Sequence, residues 1–145
     1  MLNDAPDHHD ADLVLKIYDL RREPVMRESR NTINAKFWPS NAEEALAVTS
    51  SEHPLNVAYR QTSGYWEMVY GIARNGIVPA DFLVENNGEG LFLFARVEAY
   101  VEKIREAGFT RAFRNAEWVA TNCDTGISIM EGLRPYIKRT LEGKR

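Results

Sequence analysis

From Asp12 almost to its end the chain repeats apolar residues at steps of three and four, and its prolines and glycines fall mostly between those stretches. That period lines apolar side chains along one face of a helix, so the pattern commits nearly the whole chain to helices that must pack against each other. Leu13, Ile17 and Leu20 mark one such face, with Val14 and Tyr18 beside it and Ile33 and Phe37 continuing the period. Leu93, Val97, Tyr100, Val101 and Ile104 form the clearest amphipathic set, between Gly90 and Ala107. Ile129, Met130, Leu133, Ile137 and Leu141 form the last.

The punctuation supplies approximate boundaries. A first helix is expected from Asp12 to Lys36, which Pro24 either kinks or splits, because proline removes a hydrogen bond and crowds the preceding turn. Ser40-Asn41-Ala42-Glu43 reads as a capping box opening a short helix to about Ser50. Pro54 suits the first position of a third helix, which Asn75-Gly76 closes with a left-handed cap. Pro79-Ala80-Asp81 starts a turn or two of helix, Gly108 caps the Gly90–Ala107 helix, and a sixth segment spans Arg111 to Asn122. Asp124 or Thr125 is placed to cap the last helix, bent or restarted near Pro135. Leu91-Phe92-Leu93-Phe94 could instead form a buried strand, but the helical period begins within it and no second strand is available to pair with it.

Bulk properties narrow the class. A length of 145 residues suits one domain, and 44% hydrophobic residues are enough for a packed core. With 18 basic against 21 acidic residues the net charge is −3, which argues against binding nucleic acid through a broad basic surface. The longest apolar run, Leu91 to Ala95, is far short of the roughly 20 residues a membrane span requires. Cys123 is the single cysteine, so no internal disulfide can form. Residues 1–10 are polar and acidic, without the basic and apolar regions of a signal peptide, and read as a mobile tail before a helical domain over 11–145. A soluble cytoplasmic protein is the expectation.

No motif for chemistry stands out. His8-His9-Asp10 with Asp12 has metal-capable groups, but on a tail that offers no closure around an ion. No Glu precedes any histidine by three residues, so a di-iron bundle is excluded. Gly88-Glu89-Gly90 lacks both the third glycine and the preceding strand of a dinucleotide loop, and Ser128 lacks the second glycine of a nucleophile elbow. Neither a metal nor a cofactor is expected. Arg21, Arg22, Arg27 and Arg30 scatter round their helix among Glu23 and Glu28, as a solvated face or as an anion contact near Pro24. Cys123 lies before a helix N-terminus that could activate it, although a packing role is the simpler reading.

The most unusual pattern is on the third helix, where Arg60, Gly64, Glu67, Gly71 and Arg74 share one face. Glycine inside a helix costs about 1 kcal/mol relative to alanine, so two of them suggest close approach of a backbone or of a ligand. Either this is a tight helix seam with a paired Glu67, or it is a pocket where Arg60 and Arg74 orient an anionic group beside Glu67. The neighbouring face carries Tyr59, Trp66 and Tyr70, which would be core or, if exposed, a dimer surface.

Several stretches carry a resemblance: Tyr18-Asp19-Leu20-Arg21-Arg22-Glu23, Trp66-Glu67, Arg74-Asn75-Gly76-Ile77-Val78, Ala95-Arg96-Val97-Glu98-Ala99-Tyr100 leading to Arg105-Glu106, and Ala116-Glu117-Trp118. In these the chain resembles an uncharacterised family of small all-helical bacterial proteins. The resemblance implies helix rather than strand at Leu91–Ala95 and brings no activity or catalytic residue.

The resulting expectation is an all-α domain of five to seven helices in an irregular compact bundle. Functionally it is first a non-catalytic interaction or scaffold module that self-associates or holds a protein partner through Tyr59, Trp66 and Tyr70. The alternative is an anion-binding or enzymatic pocket of Arg60, Glu67 and Arg74.

Overall fold

The computed structural model describes residues 5–144, and Met1 to Asp4 and Arg145 lie outside that range. Helices α1 (His8–Arg21), α2 (Pro24–Lys36), α3 (Ala42–Ala47) and α4 (Asn56–Arg74) are followed by α5 (Ala80–Glu85) and α6 (Glu89–Val97). A 3-10 turn at Glu98–Tyr100 leads to α7 (Val101–Glu106), α8 (Arg114–Asn122) and α9 (Asp124–Gly143). All regular structure among the described residues is helical, Leu91–Phe94 included. The nine α-helices among the described residues exceed the expected five to seven because Pro24 splits one helix and the 3-10 turn divides the Gly90–Ala107 segment.

Local chemistry explains these boundaries. Pro24 stands in the first turn of α2, where its missing N–H costs nothing, and Glu23 caps the helix by accepting from the Met26 amide at 2.9 Å. The expected tail at residues 8–10 is instead the first turn of α1. Asp7 and Asp10 each accept the other's backbone N–H there, in a reciprocal capping box. The box at α3 is displaced by one residue: Asn41 accepts from the Glu44 amide while the Glu44 carboxylate reaches back to Ser40. Pro54 precedes α4 rather than opening it, and His53 Nδ1 accepts the Leu55 amide within that turn. Gly76, with φ of 71°, ends α4 as expected, its amide reaching Ala73 and that of Ile77 reaching Ile72. Pro135 lies inside α9, which continues through it to Gly143.

α4 is the central helix, packed against α2 on one side and α8 on another, with α9 closing over α5, α6 and α8. The core joins Tyr59, Trp66, Val69 and Tyr70 of α4 to Leu83, Leu91, Leu93, Val97, Ile104 and Met130. Two of the buried tyrosines satisfy their hydroxyls on backbone. Tyr65 donates to the Ile17 carbonyl at 2.6 Å and Tyr70 to that of Asn87 at 2.7 Å. At Gly90 the first turn of α6 comes so close to α4 that an added Cβ would stand 2.7 Å from the Tyr70 ring and 2.8 Å from Trp66.

A cation is buried within this packing. Arg96 of α6 is 3% exposed, and Nη1 donates to the carbonyls of Ile33 and Phe37 at 2.8 and 2.6 Å. Its Nη2 reaches Asn34 Oδ1 at 2.8 Å and its Nε the Phe92 carbonyl at 3.1 Å. It therefore closes the C-terminus of α2, whose orphan carbonyls favour positive charge, while the rings of Trp38 and Phe92 flank it. Burial pushes its pKa down to about 10, so it remains charged at neutral pH. Arg30 acts similarly nearby, gripping Glu89 with two hydrogen bonds and the Arg21 carbonyl with a third. Arg21 in turn donates to Asn87 at 2.8 Å. Two of the four clustered arginines are thus structural.

Replacing Arg96 with Met takes the donor from the buried Phe37 carbonyl and from Asn34 Oδ1, and the expected loss is roughly 2–4 kcal/mol of unfolding free energy in urea titrations. Arg96→Lys should recover only part of it, since an ammonium cannot reach all four acceptors. Gly90→Ala should also destabilise, by about 1–3 kcal/mol through overpacking, and lower the melting temperature.

Candidate functional site

The glycine-bearing face of α4 divides in two. Its C-terminal half, Glu67 to Arg74, faces α8. Both Glu67 oxygens accept backbone amides there, from Asn115 at 2.9 Å and Ala116 at 2.8 Å, so a carboxylate from one helix caps another. The Asn115 side chain returns a bond to the Glu67 carbonyl at 3.0 Å and accepts from Arg74 at 3.3 Å. An added Cβ on Gly71 would stand 3.0 Å from the Asn115 amide, so this glycine serves the seam. Burial pushes the Glu67 carboxyl above its ordinary value, against the pull of those amides and of the Arg105 and Arg74 charges.

The structure does not gather Arg60, Glu67 and Arg74 round one ligand position. Glu67 has its oxygens engaged, Arg74 contacts Asn115, and Arg60 turns to Asn56. Tyr59, Trp66 and Tyr70, expected as an interface, are 7%, 2% and 0% exposed and form core of this chain. Their rings pack against Phe37, Phe113 and each other, which leaves too little exposed area for a protein interface, although Tyr59 reaches the lining of a cleft.

The N-terminal half of the stripe opens on a cleft of about 430 Å³. Thr49, Asn56, Tyr59, Arg60, Ser63 and Gly64 form one wall and Gly108 to Ala112 the other. An added Cβ on Gly64 meets nothing within 4 Å, so no packing contact excludes a side chain at this helical position. Asn56 is 2% exposed. Its Nδ2 donates to the Val48 carbonyl at 2.9 Å, and its Oδ1 accepts from Arg60 Nε at 2.9 Å. A buried amide thereby fixes the Arg60 guanidinium at the cleft wall. Arg111 lines the opposite wall, and neither arginine forms an ion pair among the described residues. Phe109, 46% exposed, adds an aromatic ring.

The shape of the second wall is set by Phe113, whose backbone takes the left-handed region at φ 58°. This conformation is costly for a residue with a Cβ. Burial of the ring against Tyr59 and Phe94, with Glu67 holding the Asn115 and Ala116 amides just beyond it, maintains it.

A larger cleft of about 630 Å³ lies between the end of α4, α5 and α8. Its Arg74 shares the lining with Asp81 and Glu85, so charges of both signs are present there. Asp81 has a structural role, because its Oδ1 accepts the Thr125 amide at 2.8 Å and the Cys123 thiol at 3.1 Å. It caps α9 in place of the expected Asp124 or Thr125 and is itself held below its ordinary pKa, first by the Thr125 amide and then by the Cys123 thiol. Burial pushes the Cys123 thiol up to about 11, and at 3% exposure it is a packing group, not an activated nucleophile.

No group of three or more His, Cys, Asp or Glu among the described residues is arranged to hold a metal ion. No helix among them is long and apolar enough to cross a membrane.

Asn56, Phe109 and Arg111 join the cleft without having stood out in the sequence. Asn56, Arg60 and Gly64 follow each other at steps of four, a spacing that could have pointed to the first of them; the loop residues carry no periodic signal. Together these features define an all-helical protein with an arginine-walled cleft beside its central helix. The chain belongs to the family described as Domain of unknown function (DUF4760), whose model matches residues 6–123 and takes in every residue lining the cleft. Neither a curated protein nor a solved structure matches it.

Asp81 supplies a pH-dependent test. Its folded pKa is depressed, so its stabilisation is present above the unfolded value of 3.8 and is lost as pH falls through the folded one. Asp81→Ala should cost about 1 kcal/mol at neutral pH, and the gap from wild type should close in chemical denaturation as the pH drops below 3.8.

Proposed function

We propose that this chain is a non-catalytic binding module whose cleft between α4 and residues 108–112 holds a small molecule. The observation that carries this reading is Gly64. A glycine inside a helix costs about 1 kcal/mol relative to alanine, and here no neighbouring atom requires it. What the missing side chain leaves open is the cleft itself. The size of the cleft, about 430 Å³, falls within the range of small-molecule sites, and its walls combine Tyr59 and Phe109 with a few polar groups. Among the described residues its lining carries no carboxylate, imidazole or thiol, which supports binding over proton-transfer or nucleophilic chemistry.

The self-associating scaffold expected from the sequence rested on Tyr59, Trp66 and Tyr70, and their burial removes that argument. The pocket alternative survives in altered form, keeping Arg60 and leaving Glu67 and Arg74 to the helix seam.

Gly64→Leu tests the reading directly. It should raise the melting temperature, because it removes a helical glycine without a clash, while abolishing the fluorescence enhancement of the neutral dye Nile red. Dye binding that survives unchanged in a folded Gly64→Leu protein would place the ligand elsewhere and end the proposal.

A further inference from the structure

Building on that reading of the cleft, we infer that its ligand is a monocarboxylate with an apolar, ring-sized body, its carboxylate held by Arg60 and Arg111. Arg60 and Arg111 both line one cleft whose lining, among the described residues, contains no acidic residue, in a chain whose overall charge is −3. The charged residues of the lining are thus all positive, opposite in sign to the chain as a whole. Arg60 is also oriented before any ligand arrives. Its Nε is engaged by Asn56, a side chain 2% exposed and itself anchored on the Val48 carbonyl, and among the described residues no carboxylate takes the rest of the guanidinium. An arginine fixed through Nε presents its remaining N–H groups as a fork, the geometry that matches a carboxylate. An orientation already set by the fold lowers the entropy cost of binding.

The body of the ligand follows from the rest of the lining. Phe109 supplies an exposed ring beside the small accessible part of Tyr59, Ala112 and the two glycines Gly64 and Gly108 supply shallow apolar surface, and Ser63, Thr49 and Thr110 supply hydroxyls. A bare anion would leave the aromatic lining unused, and a neutral hydrocarbon would make no use of the two exposed arginines.

Calorimetric titration of the full chain with phenylbutyrate, phenylbutanol and acetate separates these contributions. Phenylbutyrate should bind at least about tenfold more tightly than either of the others, since charge-assisted hydrogen bonds to arginine are at stake. Arg60→Gln combined with Arg111→Gln should bring phenylbutyrate down to the level of phenylbutanol and leave phenylbutanol unchanged. Arg139→Gln, an exposed arginine of α9, should change neither. Equal affinity for phenylbutyrate and phenylbutanol would overturn the carboxylate assignment while leaving an apolar cleft that still takes Nile red. Acetate binding as tightly as phenylbutyrate would overturn the apolar half of the assignment. A loss in Arg139→Gln equal to that of the double variant would show general charge attraction and overturn it as well. Failure of both aryl compounds together with Nile red would remove the cleft reading itself.

Discussion

The fold depends on charged side chains from one helix closing the ends of another. Several of its helices are only six residues long, and α8 has nine, so most of their backbone groups sit in unsatisfied terminal turns. Such pieces are not stable alone. Here Glu67 of α4 takes the first amides of α8, Asp81 of α5 takes that of Thr125 at the start of α9, and Arg96 of α6 takes the last carbonyls of α2. Arg30 of α2 does the same for the Arg21 carbonyl at the end of α1. Each of these bonds satisfies a terminus and fixes the position of its neighbour, so short irregular helices become one packed body without the long parallel seams of a symmetric bundle.

This arrangement explains which parts of the fold could be read in the sequence. Helices betray themselves through local periodicity, and Pro24 and Gly76 act within a few residues of where they stand, so both were legible. Caps supplied from elsewhere were not. Glu67 and Asn115 are 48 residues apart, and Asp81 and Thr125 are 44, separations across which no local pattern operates. The expectation that Asp124 or Thr125 would cap α9 failed for that reason. Arg96 was hidden similarly: on an amphipathic helix it reads as one more solvated cation, and only the position of α2 shows it to be interior.

Gly64 and Gly71 show the same limit at the candidate site. In the sequence they are equivalent, seven residues apart on one face with a glutamate between them. In the structure one lies against the Asn115 side chain and the other borders open space. Whether a small residue admits a neighbouring helix or leaves a cavity depends on where the neighbouring helix ends. Here α8 begins only at Arg114, and the loop before it, turned by the left-handed Phe113, stands back from Gly64 to form the far wall of the cleft. The cap that Glu67 places on α8 thus also sets the edge of the cleft, so the seam and the pocket are two results of one contact.

Arg96 also bears on how the molecule opens. A guanidinium cannot shed its charge in the neutral range, so any excursion that frays residues 33–37 while α6 stays docked leaves a cation in a low-dielectric interior with only the Phe92 carbonyl of its own helix as acceptor. Partial opening at that end of α2 is therefore disfavoured relative to release of α6 as well, which couples two segments some 60 residues apart. The rim of the cleft is tied by a second buried cation, since Arg105 of α7 is 4% exposed and its Nε donates to the Ala112 carbonyl at 3.0 Å. A ligand entering the cleft therefore meets a rim anchored on α7, independently of the Arg96 contacts that close α2.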